Sequence, residues 1–587
     1  MPERVDFQGR SSRQRAPAVP VLALVVLLLA SARLLNADVS RPEIEKAIDT
    51  GVDLLISLQA EDGSWAFEPK AGKSAKAESW RVGNTALSVL ALQHARSKRN
   101  DAHMAIKKGL DYILQHPPEP QTYSAGLVMQ CLYSDGPKKR LNSKYISAYA
   151  WMLCSGQKTS GVVKGSWRYE LPSPRPQWQA RGLGPLATPI QPRASDNSNS
   201  QFGILGLVYA QKAGFQVPRE VWIRARDHYM RSQHDDGGWD YQSDAYRQES
   251  PKGPRETSPT MNMTLAGTVS VYLCDEMLAD KRHRQCKAPE PNESHEKGLK
   301  WITDHWRPRL NAYGWYACER LGMLIGYSDF GGHDWYQEGA AQFVGAMNKV
   351  GDASLNHGRS ANIAFVVLFL SRGRNPIIIN KLKREGDWNL HRYDLKNLVD
   401  HVSGPWQHPS QWRIITLDAS IEQLLKVPIL WISGHEALTF DEAQKEKLKE
   451  YVDRGGTILG EACCSKKAFD ASFRELVKEL WPECELTTLP KTHAIYTQFR
   501  RVKHKPALMG MALEEGQGRL GVIYLPHGIS CRWEVGGAGA KGWLDVGACI
   551  YLYVDKIGKR MRTEPDDHAP AGADIEAIGK AIEGGKP

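Results

Sequence analysis

The sequence predicts two parts, an all-helical ring of six outer and six inner helices followed by an α/β domain. Three observations predict them. Apolar helices of two kinds alternate up to about residue 370. A Gln-x-x-x-Gly-x-Trp turn recurs among them, at Gln59–Trp65 and Gln233–Trp239. Beyond that point short β-rich runs alternate with helical ones.

The first kind of helix is amphipathic. Such segments start near Ile44, Ala105, Tyr145, Arg219, Glu296 and Tyr336. The second kind, at Asn84–Ala95, Tyr123–Tyr133, Asn199–Lys212, Met261–Asp275, Tyr313–Tyr327 and Asn362–Leu370, is apolar nearly all round. A helix without a polar face is buried on both sides. Six of each, alternating, are satisfied by a closed ring with the apolar set inside. In the best repeat, Arg219–Trp239, Val221, Ala225, His228, Tyr229 and Ser232 share one face, and Gly237 or Gly238 supplies the helix stop.

Gln59-x-x-x-Gly63-Ser64-Trp65 and Gln233-x-x-x-Gly237-Gly238-Trp239 resemble the repeat of the prenyltransferase and squalene-cyclase α/α toroids, and Gln157…Gly165-Ser166-Trp167 is a longer-looped version. The resemblance implies an α6/α6 toroid over residues 38–372, in which glutamine and tryptophan tie one outer helix to the next repeat. It says little about the reaction. Where squalene-type cyclases carry an Asp-rich protonating motif, this chain has Asp196-Asn197-Ser198-Asn199-Ser200, a single carboxylate, read as a helix cap. Asp334-Trp335-Tyr336-Gln337 is similar to a zinc-ligating stretch of protein prenyltransferases with glutamine in the ligand position, and the Asp-x-Cys partner is missing. No Gly-Cys-Gly-Glu-Gln thioester sequence occurs. The candidate ligand-binding set is therefore Asn199, Asn262, Tyr316, Glu319, His333, Asp334, Trp335 and Tyr336, expected around a cavity mouth, with Asn84 and Asn362 beside it and His333 and Asp334 as its most reactive members.

Arg372-Gly-Arg-Asn-Pro376 marks a boundary. Expected strands at Ile377–Ile379, Trp412–Leu417, Ile429–Ile432, Gly455–Gly460 and Leu520–Leu525, with helices at Thr439–Asp453 and Lys467–Leu480, argue a mostly parallel sheet over residues 376–556. Thr439-Phe-Asp-Glu442 reads as a capping box. Asn380-Lys-Leu382, Asp387-Trp388-Asn389, Asp394-Leu395, Ile432-Ser-Gly434-His435 and Leu489-Pro…His493 resemble an uncharacterised bacterial domain found behind such toroids, itself similar to the class I glutamine amidotransferase (flavodoxin-like) fold. Cys463, at a strand end before a helix, and His527 are the candidate nucleophile and base there, although the carboxylate two residues beyond the histidine and the elbow glycine are absent. His435 and His493 are read as turn residues.

The remaining features bound location and partners. A basic segment, an apolar run Ala16–Ala32 and Ala30-Ser31-Ala32 form the layout of a secretory signal, residues 1–37 being a cleaved signal or an uncleaved anchor. Export, or an envelope position, is the expectation. The net charge is +10, with 76 Lys and Arg against 66 Asp and Glu, but six of the arginines lie in the first 41 residues and no long basic run follows. A nucleic-acid partner is not expected; a lipid or other small ligand in the ring, or an envelope protein, is. None of the ten cysteines forms a C-x-x-C pair, so no metal and no cofactor are expected. Cys274–Cys286 is the favoured local disulfide, against buried thiols at Cys131 and Cys154. Residues 563–587 read as a flexible tail.

Overall fold

The computed structural model describes residues 38–66, 80–173, 196–241, 258–279, 292–307, 309–349, 359–404, 409–499, 502–513 and 519–561. The expected signal or anchor (1–37) and tail (563–587) lie outside them. Among the described residues no helix is long and apolar enough to cross a membrane.

The helical part contains α1 (Arg41–Ser57), α2 (Arg81–Ala95), α3 (Asn100–Gln115), α4 (Thr122–Asp135), α5 (Arg140–Gly156), α6 (Asn197–Lys212), α7 (Arg219–Ser232), α8 (Met261–Leu278), α9 (Glu293–Asp304), α10 (Ala312–Ile325), α11 (Trp335–Asn348) and α12 (Arg359–Gly373). Most odd-numbered helices are one-sided, the exception being α5, whose second half is buried all round from Ala148 to Ser155. In α1 the buried positions are Ile44, Ala47, Ile48, Gly51, Val52 and Leu55, the i, i+3, i+4 spacing of a single face. The even-numbered helices are buried almost throughout, as in α4 from Ser124 to Leu132. Each even helix packs on the next, and α12 packs back on α2, so the order of contacts closes. Small residues permit the approach: a Cβ on Gly126 of α4 would lie 2.5 Å from the Phe202 carbonyl oxygen of α6.

The Gln and Trp side chains make the same bonds in three of the repeats, those following α1, α5 and α7. Gln59 Nε2 donates to the Gly63 carbonyl (3.0 Å) and to Ala105 of the next outer helix (2.9 Å). Gln157 does so to Gly165 and Val221, and Gln233 to Gly237 and Ser294. The indole nitrogens of Trp65, Trp167 and Trp239 donate back to Leu55, Leu153 and Tyr229. Their backbone N–H groups donate to Thr85, Ser200 and Thr264 of the inner helices, each at 3.0 Å. One motif thus ties an outer helix, its inner partner and the next outer helix. Gly237, at φ +95°, is the residue that turns the chain.

The C-terminal part is a seven-stranded sheet with helices on both faces. Its strands are β1 (Ile377–Leu382), β2 (Gln411–Ile415), β3 (Ile429–Gly434), β4 (Thr457–Ala462), β5 (Thr487–Thr488), β6 (Met509–Ala512) and β7 (Leu520–Leu525), in the order β2-β1-β3-β4-β7-β6-β5. The first five in that order are parallel; β6 runs antiparallel to both β7 and β5. One face carries α13 (Asp394–Ser403), α16 (Ser530–Val535) and α17 (Gly537–Met561); the other carries α14 (Glu442–Asp453) and α15 (Lys467–Leu480). Two expectations are corrected here. The N-cap of α14 is Asp441, boxed with Gln444, rather than Thr439 with Glu442, because Asp441 accepts the Gln444 N–H at 2.8 Å. Cys274 is an unbridged thiol, fully buried inside α8; Cys286 lies outside the described residues. Cys131 and Cys154 are buried thiols as expected.

The two parts are in contact. Ile414 N–H donates to the Gly326 carbonyl oxygen (2.7 Å), and Lys396 Nζ of α13 lies 2.7 Å from Glu276 Oε1 of α8. A cavity of about 250 Å³ lies between them, lined by His94, Arg96, Lys212, Glu276, Arg320, Arg372, Lys396 and Asp400 among others.

Candidate functional site

The sequence-derived ring residues separate into three places. Tyr316 and Glu319 lie on α10, both fully buried. Tyr316 Oη donates to Gln130 Oε1 of α4 at 3.0 Å, and α4 and α10 are on opposite sides of the cycle of inner helices. The middle of the ring is therefore occupied. Below it Glu319 pairs with Arg320 (2.7 Å) and faces Arg372 (3.8 Å). Arg320 and Arg372 line the charged cavity, and Glu319 is buried behind them rather than at a mouth.

Asn199 and Asn262 lie at the opposite end, where the inner helices begin. Asp196 caps α6, its Oδ1 accepting from the Asn199 N–H (2.6 Å) and the Asn199 carboxamide (2.8 Å), so the capping role expected for it holds. Asn262 Nδ2 donates to Asn311 Oδ1 (3.1 Å). Around Asp196 stand aromatic residues. Tyr123 Oη donates to Ser198 Oγ, which donates to Asp196, both at 2.6 Å. Trp80 lies 5.6 Å from Tyr123 and 5.7 Å from Tyr169 between ring centroids, and Phe202 lies 4.6 Å from Tyr123. Tyr169 is 46% exposed and Tyr241 44%. Burial first, then the Asp196 charge, pushes the Tyr169 phenol up to about 12. Sequence reading passed over Tyr169 and Tyr241, although each stands two residues after a repeat tryptophan.

His333, Asp334, Trp335 and Tyr336 belong to the start of the outer helix α11. Asp334 caps it through Tyr336 N–H and Gln337 N–H, Trp335 donates to the Tyr327 carbonyl, and Tyr336 to that of Leu370. His333 is exposed, bonded to Glu338 at 2.8 Å and stacked on Trp306. The structure does not bring these four to Asn199 and Asn262.

In the α/β domain the loops after β1, β4 and β7 converge at the carboxyl ends of parallel strands, where α/β sheets bind ligands. His391 follows β1, Cys463 ends β4, and Cys531 opens α16. His391 Nε2 is 3.2 Å from Cys463 Sγ and 3.5 Å from Cys531 Sγ, and the two sulfurs are 3.8 Å apart. The expected Cys463–His527 pair is not formed: His527 Nδ1 faces Ser465 Oγ at 3.2 Å. Instead, His391, Cys463 and Cys531 converge, their ligand-type atoms all within 4.8 Å of one another. Linear spacing hid them because each comes from a different strand end. After Cys463 the backbone turns through Cys464 (φ 53°) and Ser465 (φ 56°), two left-handed positions filled without glycine. Glu461, fully buried, accepts from Ser530 N–H (2.8 Å), Ile529 N–H and Ser433 Oγ (2.8 Å), which fastens the segment bearing Cys531 against β4. Contact with Cys463 and His391, against the opposing effect of burial, pulls the Cys531 thiol down to about 5, while Cys463 moves up through its bond to Cys531 and burial. For His391 burial opposes protonation, but Cys531 and Asp394 outweigh it and raise the imidazole.

Residues 378–550 match the family model of a domain of unknown function, DUF4159. This covers the whole sheet, including all three members of the cluster. No curated protein matches the chain. Among solved structures, the chain is similar to a substituted type II terpene cyclase, MstE from Scytonema, in complex with geranylgeranyl dihydroxybenzoate, at 11% identity and a TM-score of 0.31, over 56% of this chain and 96% of that one. The apo form of MstE gives 12% identity and a TM-score of 0.26, over 56% and 79%.

Proposed function

We propose that this chain is an exported cell-envelope protein that binds an apolar ligand at the aromatic end of an α/α toroid of the prenyltransferase and cyclase type. Its second domain, proposed to be a relative of the amidotransferase fold, covers the opposite end. The observation that carries the reading is the group of Trp80, Tyr123, Tyr169 and Tyr241 around Asp196 at the starts of the inner helices. Partly exposed tyrosines offer apolar area at small entropic cost, with hydroxyls to orient a ligand. Helix N-termini beneath them favour acceptor groups on that ligand. The reading is one of binding rather than turnover. Asp196 is held by three donors as a cap, and a single capped carboxylate is a poor acid for protonating an alkene. The ligand class is an isoprenoid-like or other envelope lipid.

Protein purified from its own host, examined by native mass spectrometry, is expected to carry a lipid. Tyr169→Ala and Tyr241→Ala, both at exposed positions, are expected to release it while leaving the fold intact by circular dichroism. Lipid-free protein whose tryptophan fluorescence is unmoved by envelope lipid extract would refute the proposal.

A further inference from the structure

His391, Cys463 and Cys531 have the spacing of three corners of a metal tetrahedron. With Zn–S near 2.3 Å and Zn–N near 2.05 Å, tetrahedral angles place two sulfurs about 3.8 Å apart and sulfur and nitrogen about 3.6 Å apart. The structure has 3.8 Å between the sulfurs, and 3.2 and 3.5 Å from them to His391 Nε2. A single imidazole nitrogen directed at two sulfurs cannot bond fully to both, whereas a cation between them satisfies all three. A second observation points to the same place. One imidazole nitrogen of His435, after β3, lies within 4.8 Å of the Cys463 and Cys464 sulfurs, and His435 Nε2 is buried with no hydrogen-bond partner. This orphaned ring nitrogen shares Cys463 with the triangle but forms a separate group with Cys464, so it is placed to orient a water on the Cys463 side of the fourth position rather than to be a ligand itself.

We propose that His391, Cys463 and Cys531 bind one divalent, thiophilic metal ion of the zinc class, with the fourth position turned toward His435. Two thiolates and one imidazole suit zinc or cobalt over calcium or magnesium, which take oxygen. In the bound state both sulfurs are thiolates and the imidazole is neutral, so any protons still on the three ligands are released, and a dication with two thiolates gives a neutral centre with no change of oxidation state. Three protein ligands with an open fourth position are the arrangement of reactive rather than purely structural zinc. Positioning comes from Glu461, which holds the Cys531 segment, and from Lys381, whose Nζ donates to the His391 carbonyl oxygen (2.5 Å) and to Asp394 (2.8 Å). The site lies in the sheet domain, so it stands or falls apart from the aromatic end of the ring.

The test uses the full chain, reduced, stripped with chelator and titrated with Co²⁺. One equivalent is expected to produce thiolate-to-cobalt charge transfer in the near ultraviolet and the visible bands of tetrahedral Co²⁺, with Zn²⁺ displacing them. His391→Gln is expected to lose stoichiometric binding, and Cys531→Ser to lose most of the charge-transfer intensity. Cys484→Ser, outside the cluster, is expected to change neither. If the cysteine variants fail to fold, protection of Cys463 and Cys531 from alkylation by Zn²⁺ in the unaltered chain gives the same answer. Absence of charge transfer with both thiols reduced, or equal alkylation with and without Zn²⁺, overturns the proposal. So does a Cys463–Cys531 disulfide in metal-free protein that still binds no Co²⁺ after reduction.

Discussion

The Tyr316 phenol donates to the Gln130 carboxamide at 3.0 Å, and the two side chains come from opposite inner helices. This bond crosses the centre of the ring and divides an aromatic end from a charged one. Tyr316 also packs against Phe202 and Phe365, at 6.0 and 5.1 Å between centroids. Tyr316→Phe leaves the buried Gln130 oxygen without its donor and is expected to cost about 1–3 kcal/mol. Tyr316→Ala also removes the ring packing and is expected to cost about 3–5 kcal/mol. Urea midpoints at constant slope check both.

The junction between the two parts rests on buried charge. Lys396, 5% exposed at its side chain, reaches Glu276 at 2.7 Å and Asp400 at 3.3 Å, and Lys212 reaches Asp400 at 3.0 Å. Lys396→Met strands Glu276 without its cation and is expected to cost about 3–5 kcal/mol, most of it recovered by adding Glu276→Gln. Asp400 is half-exposed at its side chain, and the desolvation of its inner side is outweighed by Lys212 and Lys396 together, which hold the carboxyl below its usual range. A depressed folded-state pKa means stability present above the unfolded value, about 3.9, and lost as pH falls below it. Lys396→Met is thus expected to flatten the loss of stability between about pH 4 and 2, measured by thermal melts across that window.

Glu119 behaves in the opposite sense. Burial drives its carboxyl up to about 7, against hydrogen bonds from Ser124 Oγ and Gly83 N–H. With the folded-state pKa above the unfolded one of about 4.3, stability is full below that value, declines as pH rises to 7 and stays lower beyond it. Glu119→Gln keeps an acceptor without the charge. It is expected to stabilise the protein at pH 8 by up to about 3 kcal/mol and to have little effect at pH 4.

These cases show what pattern alone could and could not reveal. Inner and outer helices were legible because burial on one side or two writes itself into apolar periodicity, and the repeat turns because Gly63 and Gly237 must adopt positive φ. The parallel strands at Ile429 and Leu520 were legible as β-rich runs between helices. The occupied centre was not, since Tyr316 and Gln130 are 186 positions apart and neither departs from its helix pattern. Likewise His391, Cys463 and Cys531 meet only because three loops share one sheet edge. His333 and Asp334 looked reactive in sequence, yet cap and pairing geometry explain both. Cys274 looked bridgeable because a polar connection follows it, whereas its position in α8 buries it completely.

The repeat turns supply a further prediction, because two of their glycines separate backbone strain from steric exclusion. Gly161 and Gly165 lie in one loop with φ of +70° and +97°. A Cβ on Gly161 would meet nothing within 4 Å, but on Gly165 it would lie 1.8 Å from the Arg224 carbonyl oxygen of α7. Gly161→Ala therefore carries only the left-handed penalty, about 1–2 kcal/mol. Gly165→Ala must in addition push α7 away, and its own carbonyl would no longer be held for the Gln157 carboxamide, which bonds Gly165 and Val221 together. It is expected to cost about 3 kcal/mol or more, in the range of a disrupted buried network. Denaturation of the two variants side by side measures the difference. Equal costs would mean that α7 is not fixed by this turn, and that the glutamine bonds follow the packing of the helices rather than set it.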